Sequence, residues 1–438
     1  MRDLIRQKII DSLSTAPPVM TRRDARLPGV PGKAIAVIGM RRCGKTTFLW
    51  QVVRDRLAQG VPREGLLYFN FEDERLAGMK VDDLQIVVEE YYRLYPEWRD
   101  RRQVVLLLDE IQNVDGWERF VRRLLDTEQV EVFVAGSSAR LLSREVATSM
   151  RGRAMEAPVY PFSFREYLRH HGEEPSRPLD RLPKADRSAL DKSLRTYLMR
   201  GGFPEAQGID DRSRFELLKG YVDSVLLRDV LERHGVVNPL ALRWLVRQLL
   251  SNAAGSFSVH RFHGDLRSQQ IPVAKDTLHA YLAYLEDAFL VRTVSLATES
   301  ERRRMVNPRK AYPIDPGLIP VFDRSGRANL GHALETCVLL ELERRGAEVA
   351  YVRARENQEV DFLARYYDGR MELIQVCADL DDPSTREREI RALREARVNY
   401  PETSRLLVTL TPEVAVSMPG EIQVHGASAW LLEAKRPG

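Results

Sequence analysis

Gly39-Met40-Arg41-Arg42-Cys43-Gly44-Lys45-Thr46 has the spacing G-x-x-x-x-G-K-[ST]. The residues before it, Ala34-Ile35-Ala36-Val37-Ile38, form an unbroken apolar run, as expected of a strand buried on both faces of a parallel sheet. Thr47 to Leu57, directly after it, carries a helical pattern. A strand, a glycine bend and a helix start in that order make a cradle for anions, because backbone N–H groups and the helix N-terminus point at phosphate oxygens. Gly39 and Gly44 let the chain bend where a Cβ would clash. On this spacing Lys45 reaches the β- and γ-phosphates of a nucleoside triphosphate, and the Thr46 hydroxyl ligates Mg²⁺. The positions expected against the nucleotide are Gly39, Arg41, Arg42, Cys43, Gly44, Lys45, Thr46 and Thr47. Cys43 fills a variable position of the pattern and needs no redox role.

The partner motif lies downstream, at Val104-Val105-Leu106-Leu107-Leu108-Asp109-Glu110. A buried strand ending in two carboxylates delivers them to the carboxyl edge of the sheet, beside the phosphate loop. Asp109 is the expected carboxylate on the Mg²⁺ side, and Glu110 the expected general base for the attacking water. Ser137 and Ser138 follow a further strand-like run, Val130 to Ala135. A hydroxyl there contacts the γ-phosphate or the attacking water, or else caps the helix Ala139 to Arg144. Arg153 is either an exposed surface arginine or a residue that reaches the γ-phosphate of a neighbouring subunit.

Working outward, 438 residues suffice for two to four domains. Three cysteines without zinc-type spacing suit a reducing compartment better than a disulfide framework. No apolar run approaches a membrane span, and the alternating charges of Met1 to Ser12 are not those of a signal peptide, so a cytoplasmic location without membrane contact is expected. The net charge of +4 neither demands nor excludes nucleic acid. Arginine outnumbers lysine, which fits a GC-rich genome as well as a phosphate-binding surface.

Met1 to Ser14 reads as an amphipathic helix ahead of a Pro-rich connector. Strand-like runs at Lys33–Gly39, Leu66–Phe71, Val104–Leu108 and Val130–Ala135 alternate with helical patterns, which indicates a parallel sheet covered on both faces, and Ala157–Tyr160 reads as a fifth strand. The expected organisation is a P-loop domain at 1–170, a charged linker at 171–193, a helical domain at 194–325 and a small α/β domain at 326–438. Within the third segment, Phe262 to Gln270, a break at Pro272, and Lys275 to Phe289 make a helix-turn-helix candidate with Leu290 to Val294 as a strand-like wing. In the last segment a helix to Arg344 precedes strand-like runs at Val349–Val352, Val360–Ala364, Leu373–Cys377, Leu406–Leu410 and Ile422–Val424.

Taken together, GMRRCGKTT (Gly39–Thr47), FNFEDERL (Phe69–Leu76), LDEIQ (Leu108–Gln112), GSSARLLS (Gly136–Ser143) and PFSFREYL (Pro161–Leu168) resemble the bacterial and archaeal AAA+ ATPases that carry a C-terminal domain of unknown function. GGFPE (Gly201–Glu205), YLEDAF (Tyr284–Phe289) and EVDF (Glu359–Phe362) continue the likeness through nearly the whole chain. The resemblance implies an ATPase core of the additional-strand type, with ATP and Mg²⁺ bound and Glu110 as base. It also implies a winged-helix middle region and a C-terminal part similar to the PD-(D/E)XK nuclease fold. Oligomers, with a hexamer as the default, follow from the same likeness, and Arg153 then acts across subunits.

A nuclease of that fold needs acids to bind a divalent metal and a lysine to orient water. Glu335 and Asp361 fit; Gln375 stands where an acid is usual and Cys377 where the lysine is usual. The expected state is therefore a degenerate binding fold, with an ATP-regulated nuclease as the alternative. In the helix-turn-helix candidate Lys275, Thr277, His279 and Tyr281 are the expected groove-facing residues, and Arg292, Arg302, Arg303, Arg304, Arg309 and Lys310 the expected phosphate contacts. The function expected from these residues is ATP-driven binding or remodelling of DNA, branched DNA included. A nucleotide-controlled protein-interaction switch is the competing class.

Overall fold

The computed structural model describes residues 1–136, 150, 152–323, 329–354, 358–412 and 419–433. The chain divides into two compact units, Met1–Tyr160 and Pro161–Gly438.

The first unit is built on five parallel strands: β1 (Ala34–Ile38), β2 (Leu66–Asn70), β3 (Val104–Asp109), β4 (Val130–Ala135) and β5 (Ala154–Pro158). They lie in the order β2-β3-β4-β1-β5. β1 and β3 are buried along their whole length, as their uninterrupted apolar sequences require of strands covered on both faces. β4 intervenes between β1 and β3, so the two strands that end in the nucleotide motifs are separated by one additional strand. Register sets the carboxyl edge: Val37 lies opposite Ala135, Asp109 opposite Ala135, and Asn70 opposite Asp109. Helix α1 (Arg2–Ser14) buries Ile5, Ile9 and Leu13, one residue every fourth position on one face. Helix α2 (Lys45–Ala58) puts Phe48, Leu49, Val52 and Val53 into a core shared with Val37, Val105, Leu107 and Phe133. Helix α3 (Leu84–Leu94) and helix α4 (Trp117–Thr127) complete the layers; α4 buries Trp117, Phe120, Val121 and Leu124 at helical spacing.

The second unit starts ten residues before the boundary that composition suggests. Helix α5 (Phe164–His171) opens with a capping box, Ser163 accepting from the Glu166 amide and Glu166 from the Ser163 amide. Its lead-in belongs to this unit: the Phe162 amide donates to Gly202 O at 2.7 Å, and the Tyr197 hydroxyl donates to Phe162 O at 2.7 Å. The expected linker is also shorter than composition indicates. Helix α6 (Lys184–Arg200) begins inside it and buries Leu190, Leu194, Tyr197 and Leu198. The charges of Lys184 to Lys192 mark the outer face of a helix, and the apolar face becomes regular only beyond them.

Helix α7 (Asp211–Ser224) runs into a wider π-turn segment (Val225–Leu231). Helix α8 (Pro239–Ser251), helix α9 (Val259–Ser268) and helix α10 (Lys275–Asp287) follow. Strands β6 (Ser256–Phe257), β7 (Val291–Val294) and β8 (Arg309–Pro313) form a small antiparallel sheet in the order β6-β8-β7. A short helix α11 (Glu301–Val306) connects β7 to β8.

Helix α12 (Leu330–Arg344) leads into a mixed sheet of β9 (Glu348–Arg353), β10 (Glu359–Arg365), β11 (Met371–Cys377), β12 (Ser404–Thr409) and β13 (Gln423–Gly426), ordered β13-β12-β11-β10-β9. Helix α13 (Pro383–Arg397) joins β11 to β12, the crossover their parallel pairing requires, and helix α14 (Ala427–Leu432) ends the described fold. The helical part and this sheet pack against each other: Leu194, Tyr312, Leu334, Phe362 and Trp430 belong to one hydrophobic core.

Candidate functional site: a phosphate loop and a carboxylate pair at one sheet edge

Gly39 leaves β1 with φ +151°, and a Cβ on it would stand 2.1 Å from Val159 O, so only glycine fits. Gly44 takes φ +101° and is the N-cap of α2. Between them Arg42 is left-handed, with φ +65°. This bend turns the first amides of α2 toward a common point above β1. Lys45 is buried, and its ammonium arches over the loop to donate to Gly39 O and Met40 O, both at 2.9 Å. Arg41 and Cys43 lie in the same loop and Thr47 in the first turn of α2.

Thr46 meets Asp109 here: its hydroxyl donates to Asp109 Oδ2 at 2.7 Å. The Tyr68 hydroxyl, from β2, donates to the same oxygen at 2.9 Å. Asp109 Oδ1 is buried without a hydrogen-bond partner. Burial pushes the Asp109 carboxyl above its ordinary value, with Glu110 adding to the rise while Thr46, Tyr68 and Lys45 oppose it. A buried carboxylate with one unsatisfied oxygen, beside a hydroxyl, is a hard-oxygen donor set that suits Mg²⁺. Glu110 follows with φ +52°, a left-handed conformation that costs a non-glycine residue roughly 1 kcal/mol. The Gln112 amide donates to Glu110 Oε2. Two of the described non-glycine residues with positive φ therefore flank this cradle, one in each motif.

Two further residues here escape sequence reasoning. Tyr68 sits inside an ordinary strand pattern; its role needs β2 and β3 to be neighbours, with the phenol two positions before Asp109 in register. Arg23 is buried beneath the loop, donating to Cys43 O at 2.9 Å and to Tyr160 O. An arginine beside Arg22, after a Pro-rich connector, carries no signal of that.

Arg153 stands apart. It precedes β5, and its carbonyl accepts from the Ala34 amide, which places it at the opposite edge of the sheet. Five strand residues separate Ala34 from Gly39, about 16 Å. Its guanidinium pairs with Asp126. It does not serve the phosphates of its own chain. Ser137 and Ser138 lie outside the described residues.

The expected DNA-facing residues divide. Lys275 and His279 are exposed on α10 and Thr277 is half-buried. Tyr281, expected to face a groove, is instead buried, and its hydroxyl accepts the Asn238 amide at 3.0 Å. The Arg292 guanidinium holds both oxygens of Glu343, at 2.9 and 3.1 Å. Arg309 lies 3.7 Å from Glu286, and Arg304 pairs with Glu301, while Arg302 and Arg303 are exposed. Lys310 is not a surface cation at all.

The structure brings Glu335, Asp361 and Gln375 together, and Lys310 with them. The Lys310 ammonium lies 3.0 Å from Glu335, 3.0 Å from Glu359 and 2.8 Å from Asp361. A β-bulge in β10 between Val360 and Leu363 carries Asp361. Asp361 Oδ2 accepts the Val376 amide at 3.0 Å, and the Tyr312 hydroxyl donates to Glu335 at 2.7 Å. Gln375 donates to Glu389 at 2.7 Å and accepts the Asp361 amide at 3.3 Å. Burial opposes the charge on Lys310, but Asp361, Glu335 and Glu359 outweigh it and hold the amine above its ordinary value. Cys377 takes no part; its thiol contacts Asp379 O, and burial pushes it up to about 11.

A strand order of β2-β3-β4-β1-β5, with a glycine-lysine-threonine loop after β1 and an acid pair after β3, defines a P-loop nucleotide-binding domain with one additional strand between the motifs. Residues 31–168 match the family model described as an AAA domain, and 191–326 match one described as a domain of unknown function. The chain is 35% identical over 399 residues to the uncharacterized protein MJ1544 of Methanocaldococcus jannaschii, covering 90% of this chain and 85% of that one. It is 30% identical to an uncharacterized protein of Haemophilus influenzae, covering 91% and 94%. Among solved structures it is similar to the Walker-type ATPase PABY2304 of Pyrococcus abyssi, at 14% identity with a TM-score of 0.40, covering 74% of this chain and 95% of that one. The chain belongs to the family of the M. jannaschii and H. influenzae proteins, and its first unit is an AAA-type ATPase domain, which implies ATP binding. Among the described residues no helix is long and apolar enough to cross a membrane.

Proposed function

We propose that this protein is a Mg²⁺-dependent ATPase whose nucleotide cycle controls DNA binding by its second unit. The observation that carries the reading is the 2.7 Å contact between Thr46 and Asp109, which joins the two nucleotide motifs in one place. Loop amides and the Lys45 ammonium bind the phosphates; Thr46 and Asp109 hold Mg²⁺, which when bound neutralises phosphate charge. Glu110 accepts a proton from the attacking water, and Gln112 orients the Glu110 carboxylate. Arg153 completes the site of a neighbouring subunit in a homo-oligomer, of which a hexamer is the family default.

DNA binding is supported by a helix pair, α9 and α10, backed by a three-stranded antiparallel sheet, the elements of a winged helix. Exposed Lys275 and His279 lie on α10, and Arg302 and Arg303 on α11. The test is ATP turnover with and without duplex and branched DNA, alongside DNA affinity against salt. Stimulated turnover and a steep salt slope are expected, and Lys275→Glu weakens binding across all DNA sequences. Absence of both effects transfers the proposal to a second reading, a nucleotide-controlled protein-interaction switch. That reading is favoured by an apolar stripe at the start of α8, where Leu240 and Trp244 are 54% and 44% exposed one helical turn apart and Val237 precedes them at 91%.

A further inference from the structure

We propose that the Lys310 ammonium is the resident cation of the carboxylate cluster in the second unit, so that this centre works without metal and loss of the lysine side chain turns it into a divalent-cation site. The inference does not depend on the ATPase or DNA readings.

Three acidic oxygens from two elements, Glu335 on α12 and Glu359 and Asp361 on β10, converge on one nitrogen brought by a third, β8. The lysine side chain is 8% exposed, and those of Glu335 and Asp361 are 11% and 10% exposed. Carboxylates this buried and close repel one another unless a cation stands among them. Glu359 closes the outer side of the cluster, its side chain 29% exposed. Asp361 Oδ2 is held by the Val376 amide, Tyr312 donates to the same Glu335 oxygen that Lys310 holds, and both ends of the Gln375 amide are bound to protein. Gln375 is neutral, so it brings none of the charge that an acid at that position would give a metal ion. Among the described residues, no group of three or more acidic, histidine or cysteine side chains is arranged to hold a metal ion as the cluster stands. The nitrogen–oxygen separations of 2.8–3.0 Å are those of ammonium hydrogen bonds, whereas Ca²⁺ draws oxygens to about 2.3–2.6 Å. With the lysine side chain cut back, movements of about half an ångström bring the same three oxygens to Ca²⁺ distance.

The probe is Tb³⁺, which takes Ca²⁺ sites and luminesces when an adjacent tyrosine is excited; Tyr312 touches the cluster through Glu335. The full-length wild type is compared with Lys310→Ala, Asp361→Asn and the Lys310→Ala/Asp361→Asn double variant. In the wild type the signal is expected to be unchanged by Asp361→Asn. In Lys310→Ala, at least a tenfold gain is expected that Ca²⁺ displaces and the double variant lacks. Thermal unfolding is the second readout: Ca²⁺ raises the midpoint of Lys310→Ala, or restores its folding, and leaves that of the wild type unmoved. An Asp361-dependent Tb³⁺ signal in the wild type overturns the proposal, as does Mg²⁺- or Mn²⁺-dependent DNA cleavage that Asp361→Asn abolishes. A Lys310→Ala protein that gains neither Tb³⁺ signal nor Ca²⁺ stabilisation overturns it equally.

Discussion

At the scale of single residues the nucleotide site works by conformations and contacts that ordinary side chains resist. Glu110 is held left-handed at the end of β3, so its carboxylate leaves the strand direction and meets Gln112. Glu110→Gln keeps the length and the Gln112 partner but removes the carboxylate proposed as proton acceptor. Its ATP affinity is expected to stay within a few-fold of wild type while turnover falls ~10²-fold or more; equilibrium binding of a labelled nucleotide and steady-state phosphate release check the two halves. Tyr68 orients the Asp109 carboxylate by donating to Oδ2. Tyr68→Phe leaves the ring packed against Trp50 but removes that donor, so the Mg²⁺ concentration for half-maximal turnover is expected to rise several-fold, corresponding to ~1 kcal/mol. A Mg²⁺ titration at saturating ATP reads it. That the loop carrying Lys45 and Thr46 meets the end of β3 at Asp109 and Glu110 was legible in the sequence, because each motif's spacing along the chain is local. Tyr68 and Arg23 were not, because their contacts cross between segments that no spacing relates.

At the scale of elements, buried stripes and caps explain both what pattern reading found and what it missed. The strands of the mixed sheet and α12 follow their apolar runs closely, whereas α6 hid behind its charged face. The glycine pair at Gly201 and Gly202 also has an element-level cause: a Cβ on Gly201 would meet the Asp315 carboxylate at 1.8 Å, and one on Gly202 would meet Phe162 O at 2.2 Å. Asp315 accepts both the Gly202 and Gly317 amides and so locks the end of α6 to the turn after β8. Helix α1 docks by Ile5, Ile9 and Leu13, with Lys8 paired to Asp73 at 2.6 Å. Arg75 and then Lys8 hold the Asp73 carboxyl below the usual range. A depressed folded value means that this stabilisation is complete above the unfolded value of about 3.9 and is lost as pH falls toward the folded one. Asp73→Asn is therefore expected to speed amide hydrogen exchange in α1 at pH 7, and the difference from wild type to shrink below pH 4. A difference that does not shrink at all between pH 7 and pH 2.5 contradicts the assignment.

At the scale of the whole molecule, Arg153 and Lys310 show basic residues changing meaning with position. Arg153 sits at the sheet edge away from its own phosphate loop, so a role in hydrolysis requires a second copy. Arg153→Ala and Lys45→Ala are each expected to be inactive alone, and mixing them to restore part of the turnover, because some interfaces then join an intact loop to an intact arginine. Full activity of Arg153→Ala, or no recovery on mixing, removes the arginine from the mechanism. Lys310, assigned to the surface from its place in a basic run, is instead the buried partner of three acids from α12 and β10. That ion cluster ties β8 of the helical part to α12 and β10, whose residues share one core with it. By itself the chain determined the phosphate loop, its acidic partner strand and the succession of α/β elements, since hydrophobic period and motif spacing are local properties. Only the tertiary structure decided the position of Arg153, the unit boundary after Tyr160 and the cation among Glu335, Glu359 and Asp361. Each depends on which distant segments lie side by side, and a charged residue looks the same in sequence whether water or three carboxylates surround it.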